Sequence, residues 1–408
     1  MAITPGEGTQ SQSSDGAIVR PAYTREGFQF QTSDRAIVRS YSYALPVTTN
    51  RVEWWTVWYG IRMGMLPAKG SLYLELNEAG SGEITLPLDY WDFYDIGDSL
   101  YVENKYRGDV RGGFFAENIR KKLVDSAEGG RETTVSGRGP LSLLDDAIVW
   151  SDGTSGTIRK FQTTPKAYIL KILIEEAQSR YSLYYLDIDF TENHDSNNIA
   201  WTDSETMEFR VGTSLFEVAR LLCDMGLELS MRASSSQHYI LSAYKNPIGT
   251  DKSATVSFIV GKNCIELSET LLSSEVRNYL LVQSKGGYST VYDTSYDSQN
   301  AWRQREGLLQ GNSSSTTKTA VNQGKVELAR LKDRQREVIV KLSDKTGPQV
   351  FIDYDIGDWI TLYNDYGYAE AFRIHDMLLE WDDTGYADVT ISLNSVVYEN
   401  AMRLARGM

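Results

Sequence analysis

The chain has 408 residues, 41% of them hydrophobic and 24% charged, with a formal net charge of −14. That size fits roughly two to four folded domains, and the acidity makes it a poor candidate for gripping nucleic acid, which needs Lys and Arg to neutralise phosphate. Two cysteines, Cys223 and Cys264, and three scattered histidines, His194, His238 and His375, supply neither a disulfide framework nor metal-ligand spacing.

Residues 1–12 are rich in Gly, Ser, Thr and Gln and read as disordered when alone. The start has no basic, apolar leader pattern, and no apolar run reaches the roughly 18 residues needed to span a bilayer. Ser14-Asp15-Gly16-Ala17-Ile18-Val19-Arg20 is echoed by Ser33-Asp34-Arg35-Ala36-Ile37-Val38-Arg39. Each copy reads as a short strand entered through an Asp-containing turn. They form either an arm that pairs with a neighbouring subunit or one local sheet, so residues 1–40 are taken as an N-terminal arm.

Residues 41–150 read as all-β. The run 52–59 is β-branched and aromatic on both faces, which predicts a strand buried on both sides. The same run carries Trp54, Trp55 and Trp58; core packing outweighs a sugar-stacking platform there, because apolar residues fall on both faces. Residues 71–77 and 83–88 flank a Gly80-Ser81-Gly82 turn, a hairpin signal. Glu128-Gly129-Gly130 makes another.

Helical spacing replaces alternation after Trp150. Thr164 caps a helix with Pro165 in its first turn, and Ile169, Leu170, Leu173, Ile174 and Ala177 line one face. Thr213 or Ser214 caps a second helix bearing Leu215, Val218, Ala219 and Leu222, with Cys223 as core filler and Gly226 at its end. Residues 227–232 and 239–244 follow as a strand pair. These make an inserted α+β domain over 151–250. Residues 251–335 form a further peripheral α+β segment: strands over 255–282, an exposed mobile loop over 284–315, and a helix over 319–331. Strands resume in 336–398, and 399–408 is a short basic tail.

One feature outranks the rest. Tyr-Asp-Ile-Gly-Asp occurs at 94–98 and again at 354–358. Each copy is followed by three strand-like runs: 99–104, 114–123 and 132–137 in the first; 359–364, 370–380 and 387–393 in the second. The turn residues are Asp95, Gly97 and Asp98 in one copy and Asp355, Gly357 and Asp358 in the other. Glycine fits a φ > 0 corner and Asp a side-chain-bonded turn. The predicted fold class is therefore α+β and β-rich, with two similar small antiparallel β-barrel domains, 41–150 and 336–398, separated by inserted material. A module used twice is more often scaffold than enzyme.

Candidate chemistry is thin. Asp145-Asp146, the Glu192, His194 and Asp195 group, and Asp382-Asp383-Thr384-Gly385 read as solvated turns. Gly137-Arg138-Gly139-Pro140 lacks the lysine and capped helix of a phosphate loop. No nucleophile elbow, zinc helix or Cys-x-x-Cys pair is present. We therefore expect no catalytic, cofactor-binding or metal-binding residues, and no enzymatic activity.

The motif order resembles the tail or baseplate hub proteins of long-tailed phages, including the hub family of siphophages that infect actinobacteria. It runs through Gly82-Glu83-Ile84-Thr85-Leu86-Pro87-Leu88, the first repeat turn, Phe115-Ala116-Glu117-Asn118-Ile119 and Thr133-Thr134-Val135-Ser136-Gly137-Arg138-Gly139-Pro140. It continues through the second turn into Phe372-Arg373-Ile374 and Val389-Thr390-Ile391-Ser392-Leu393, covering about 40–398. The resemblance implies two tube-forming barrels per subunit and a homotrimer at the distal end of a virion tail. Six barrels in a ring would then adapt the six-fold tube, or distal tail protein hexamer, to three-fold fibre or tip proteins. It also implies contact with the tape-measure protein C-terminus and a channel through which DNA passes without specific binding. The alternative reading is a carbohydrate- or receptor-binding tail module.

Overall fold

In the computed structural model, residues 22–24, 27–29, 52–58, 61–66, 69–87, 100–123, 131–151, 156–234, 238–272, 274, 276–284, 286–292, 303–310, 317–332, 335–345, 347–363, 368–381 and 386–394 are described. Residues 1–49 and 50–408 are two separate units. In the first, β1 (Ala22–Thr24) and β2 (Gly27–Gln29) pair as an antiparallel hairpin with Tyr23 opposite Phe28. The two Ala-Ile-Val-Arg echoes lie outside the described residues, as does the first Tyr-Asp-Ile-Gly-Asp turn.

The second unit begins with β3 (Val52–Trp58), β4 (Ile61–Leu66), β5 (Lys69–Glu75), β6 (Ser81–Pro87), β7 (Leu100–Tyr106), β8 (Asp109–Phe115), β9 (Asn118–Leu123) and β10 (Arg131–Arg138). A 3-10 helix, Pro140–Asp146, closes this stretch. Strand β3 carries a buried side chain on each face. Its register against β4 shifts between Thr56 and Val57. The extra residue is Met63 of β4, and β3 pairs β7 without a break, so Trp54 and Val57 lie on opposite faces of the strand and both are buried. Trp55 stays half-buried, its indole N–H donating to Glu53 at 3.1 Å.

The insert follows as β11 (Ile158–Thr164), α1 (Lys166–Gln178), β12 (Leu186–Ile188), β13 (Glu205–Arg210), α2 (Leu215–Asp224), β14 (Glu228–Ala233) and β15 (Tyr239–Tyr244). Helix α1 is capped at Pro165, without a side-chain bond, because strand β11 runs on through Thr164. The Thr164 hydroxyl turns back to the Gln162 carbonyl instead. Helix α2 is capped by Ser214, whose Oγ accepts from the Phe216 N–H at 3.0 Å. The apolar faces of both helices, Cys223 included, share one core with Phe161, Phe190, Phe209, Leu229 and Leu241.

Then come β16 (Ser257–Ile259), β17 (Cys264–Leu272), β18 (Tyr279–Ser284), β19 (Gly287–Tyr292), β20 (Glu306–Leu309) and α3 (Thr317–Leu331). The stretch read as a mobile loop therefore carries two strands. Both flank β18, β19 antiparallel and β20 parallel. Leu280, Val282 and Val291 pack beneath them on Ala320 and Leu328 of α3. The chain ends in β21 (Gln335–Ser343), β22 (Trp359–Tyr363), β23 (Ala369–Trp381) and β24 (Ala387–Asn394).

The pairings repeat. In the first half β5 pairs β6, β6 pairs β10, β10 pairs β9, and β7 pairs β8. In the second, β17 pairs β21, β21 pairs β24, β24 pairs the C-terminal half of β23, and β22 pairs its N-terminal half. Val135 lies between Ile84 and Ile119, as Ile391 lies between Val340 and Met377. Counting back from Ile119 and Met377, Phe114 matches Phe372; each is fully buried and paired to a buried residue, Val102 or Ile360. Between these anchors the first copy breaks into two strands at Ala116–Glu117. The second shows a register shift between Ile374 and Asp376 at the same place.

Two closed barrels were expected. Among the described residues no sheet closes, and both repeats share one ten-stranded sheet in the order β17-β21-β24-β23-β5-β6-β10-β9, with β22 and β16 branching from β23. They merge because the free side of β23 hydrogen-bonds β5, Trp381 opposite Gly70 and Asp376 opposite Glu75. A common core containing Trp54, Leu72, Ile84, Phe114, Phe372, Trp381 and Ile391 lies against this sheet.

Candidate functional site

The second repeat turn is closely packed. Gly357 has φ +88°, and a Cβ there would sit 2.6 Å from the Ile248 carbonyl oxygen. Only glycine suits both conditions. Gly249 faces it with φ +94°, its own Cβ position 2.3 Å from the Gly357 carbonyl. Asp358, buried, accepts from the Thr250 N–H at 2.7 Å and the Asp355 N–H at 2.8 Å, and Lys252 Nζ lies 2.8 Å away. Asp355 accepts from the Ile356 N–H at 2.7 Å. Burial pushes its carboxyl above the usual carboxylate value, against the pull of Ile356 and Arg111. The equivalents Asp95, Gly97 and Asp98 lie outside the described residues.

Arg373 anchors this turn to the insert. Its guanidinium donates to both Glu228 oxygens at 2.8 Å, to the Gly357 carbonyl at 3.0 Å and to the Ile248 carbonyl at 2.8 Å. Glu228 in turn accepts from the Ile248 N–H at 2.6 Å. Arg373 is 3% exposed and Glu228 1%. A pair so fully desolvated persists only with this kind of geometry and extra donors.

A second latch joins the two repeats. Arg107, with φ +55°, and Gly108, with φ +88°, form the tight turn between β7 and β8. The Arg107 guanidinium reaches Asp344 at 2.6 Å and Gln349 at 2.9 Å. The Tyr106 hydroxyl also donates to Asp344, and burial first, then that bond, raises the phenol well above its ordinary value. Asp344 lies just past β21, so this buried cluster ties the first repeat to the second.

The seam between β5 and β23 is different: it is acidic. Glu75 stands directly opposite Asp376, and His375 Nδ1 lies 3.7 Å from Asp376. Burial raises the Glu75 carboxyl, His375 opposes the shift, and Glu78 and Asp376 add to it. Tyr73, Glu75, Tyr101, Arg111, Asp355 and Ile356 line a cleft of about 540 Å³ here.

The other carboxylates are tied into local backbone or side-chain contacts. Asp195 is buried rather than solvated and accepts from the Asn197, Ile199 and Lys245 N–H groups. Asp145 bonds Arg138 and Ser214. Asp146 accepts from the Tyr185 hydroxyl, and burial raises its carboxyl. The Gly137–Gly139 corner is a close-packed turn, with Cβ positions 1.8 Å and 2.1 Å from the Phe115 and Ala79 carbonyls. The 382–385 loop lies outside the described residues. Among the described residues no His, Cys, Asp and Glu group is arranged to hold a metal, and no helix is long and apolar enough to cross a membrane.

Two repeats of one strand pattern, sharing a sheet and carrying an α+β insert, define a fold that solved phage tail proteins share. No family model matches the chain, and no curated protein matches its sequence. Among solved structures, the 43 kDa tail protein of prophage MuSo2 from Shewanella oneidensis matches with TM-score 0.59 and 16% identity, over 86% of this chain and 99% of that one. A tail protein from Neisseria meningitidis MC58 matches with TM-score 0.55 and 13% identity, over 85% and 97%. Prophage tail protein gp18 from Listeria monocytogenes EGD-e matches with TM-score 0.51 and 13% identity, over 87% and 98%. The chain has the fold of these phage tail proteins.

Proposed function

We propose that this chain is a structural subunit of a phage tail hub at the distal end of the tail. Three copies form a ring in which six repeats imitate six-fold symmetry. The ring joins a distal tail protein hexamer to three-fold tip or fibre proteins, contacts the end of the tape-measure protein and surrounds the DNA channel. The insert over 151–250 points outward.

One observation carries this reading: the strand pattern β5-β6-β10-β9 recurs as β17-β21-β24-β23, joined head to tail. A head-to-tail contact is heterologous, and copies added by the same operation close into a ring where the rotation between them divides a full turn. The tail-protein fold and the net charge of −14 agree with it, since an acidic wall offers passing DNA no counterion-release gain. Mass photometry and cryo-EM of the purified chain test it. Three-fold rings with a central channel are expected; a stable monomer at high protein concentration would overturn the proposal.

A second reading, a glycan-binding tail module, has one favouring observation. The face of the β19-β18-β20 sheet turned away from α3 sets Tyr292, Tyr279 and Glu306 in one row and Thr290, Leu281 and Leu308 in the next. The Tyr279 and Tyr292 rings stack at 5.3 Å, and Tyr288 is 62% exposed. Aromatic and hydroxyl groups together on one exposed sheet face suit a sugar. A glycan array probed with wild type and Tyr292→Ala separates the readings: a signal lost in the variant supports this one, and a blank array removes it.

A further inference from the structure

The two ends of the shared sheet are open among the described residues: β9 at one, β17 at the other. Resting on the ring reading above, we propose that β9 of one copy pairs antiparallel with β17 of the next, in the register that β23 already uses on β5. The partner is a second copy of this chain, and the surface is a named edge with a named alignment.

The register follows from the repeat. Val135 and Ile391 are equivalent, so their partners Ile119 and Met377 are equivalent on one side, and Ile84 and Val340 on the other. Ile84 lies opposite Gly70, and Val340 opposite Leu267, which makes Gly70 and Leu267 equivalent. Within the chain Met377 lies opposite Leu74, Leu379 opposite Leu72 and Trp381 opposite Gly70. Carried to the open edges, the same alignment sets Ile119 opposite Leu271, Lys121 opposite Glu269 and Leu123 opposite Leu267. Apolar positions meet apolar ones, and the middle one of the three cations of β9, Lys121, meets a carboxylate. A slip by a single residue would still set Lys122 or Arg120 opposite Glu269, but it would put Leu123 against Ser268 or Ile119 against Thr270 and lose an apolar match.

The condition of the edges agrees. β17 is nine residues long, and Leu271 and Ile265 are 52% and 61% exposed. A long edge strand with apolar side chains in water is a template for pairing. Ile119, by contrast, already packs against the core, which fixes the face its strand presents. Arg336 holds Glu269 at 2.7 Å, which fixes that carboxylate along the edge.

The test uses the full chain with Ile119→Cys and Leu271→Cys; both native cysteines are buried. Directly opposed strand residues lie about 4.5–5.5 Å apart, within disulfide range. The control pair is Ile119→Cys with Glu269→Cys, two residues out of register. Each protein is sized by light scattering while reduced, then oxidised and run on a non-reducing gel. The proposal expects a covalent ladder ending at three chains, at least about tenfold stronger for the first pair than for the control. Rings that form but cross-link equally in both pairs, or in neither, overturn this register and leave the hub reading standing. Reduced protein that stays monomeric and gives no ladder overturns both.

Discussion

Arg373 and Glu228 clasp each other through two 2.8 Å hydrogen bonds although 145 residues separate them in the chain. One belongs to the second repeat and the other to the first strand after α2, so the pair fastens the insert to the shared sheet.

Removing one partner should be far worse than removing both. Arg373→Met leaves Glu228 charged and buried, at an expected cost of about 3–5 kcal/mol. Glu228→Leu combined with Arg373→Met should cost clearly less than the two single changes added together. Urea denaturation of the three variants checks this; additive losses would mean the two side chains act independently.

Gly357→Ala meets both a positive φ and the Ile248 carbonyl, whereas Gly212, with φ +93°, has nothing within 4 Å of its Cβ position. We expect Gly212→Ala to cost about 1–2 kcal/mol from conformation alone, and Gly357→Ala to cost more. If the repeat turns are equivalent, Gly97→Ala should match Gly357→Ala rather than Gly212→Ala. Thermal melts of the three would rank them.

The acidic seam predicts a pH dependence. The folded-state pKa of Glu75 lies above its ordinary 4.5. Between those two values the folded chain holds more protons than the unfolded one, so stability falls as pH rises through that window. Glu75→Gln should therefore raise the melting temperature at neutral pH, and the gain should vanish as the pH drops below 4.5. A gain that is constant across pH would point to packing instead.

Tyr106→Phe keeps the ring and removes one donor from the buried Asp344 carboxylate. A loss of about 1–3 kcal/mol is expected. Because Asp344 belongs to the other repeat, hydrogen exchange should quicken near Val350, whose N–H also bonds Asp344, as well as around β7. Protection unchanged on the second repeat would show that this latch does not couple them.

The duplication was legible because five identical residues mark each copy. The insert was legible because its helices keep a 3.6-residue apolar spacing; Leu215, Val218, Ala219 and Leu222 are all buried. What sequence could not reveal was pairing across long separations. Nothing local to Arg107 announces Asp344, and nothing near Glu228 announces Arg373. Strands β19 and β20 were missed because one face of each stays in water. Short runs with few apolar residues, set among Gly and Ser, resemble a loop until β18 supplies their hydrogen bonds. The open sheet was missed for a related reason: periodicity shows that a strand has two faces but not which neighbour takes its far side.

The bond between β23 and β5 has a consequence for how such a ring would come together. One of its two kinds of junction is made inside every polypeptide, where the two halves are tethered and dilution cannot separate them. Only two encounters between molecules are then needed to bring together a six-part circle, the third junction closing within the assembly, so it would persist at concentrations where six untethered halves drift apart.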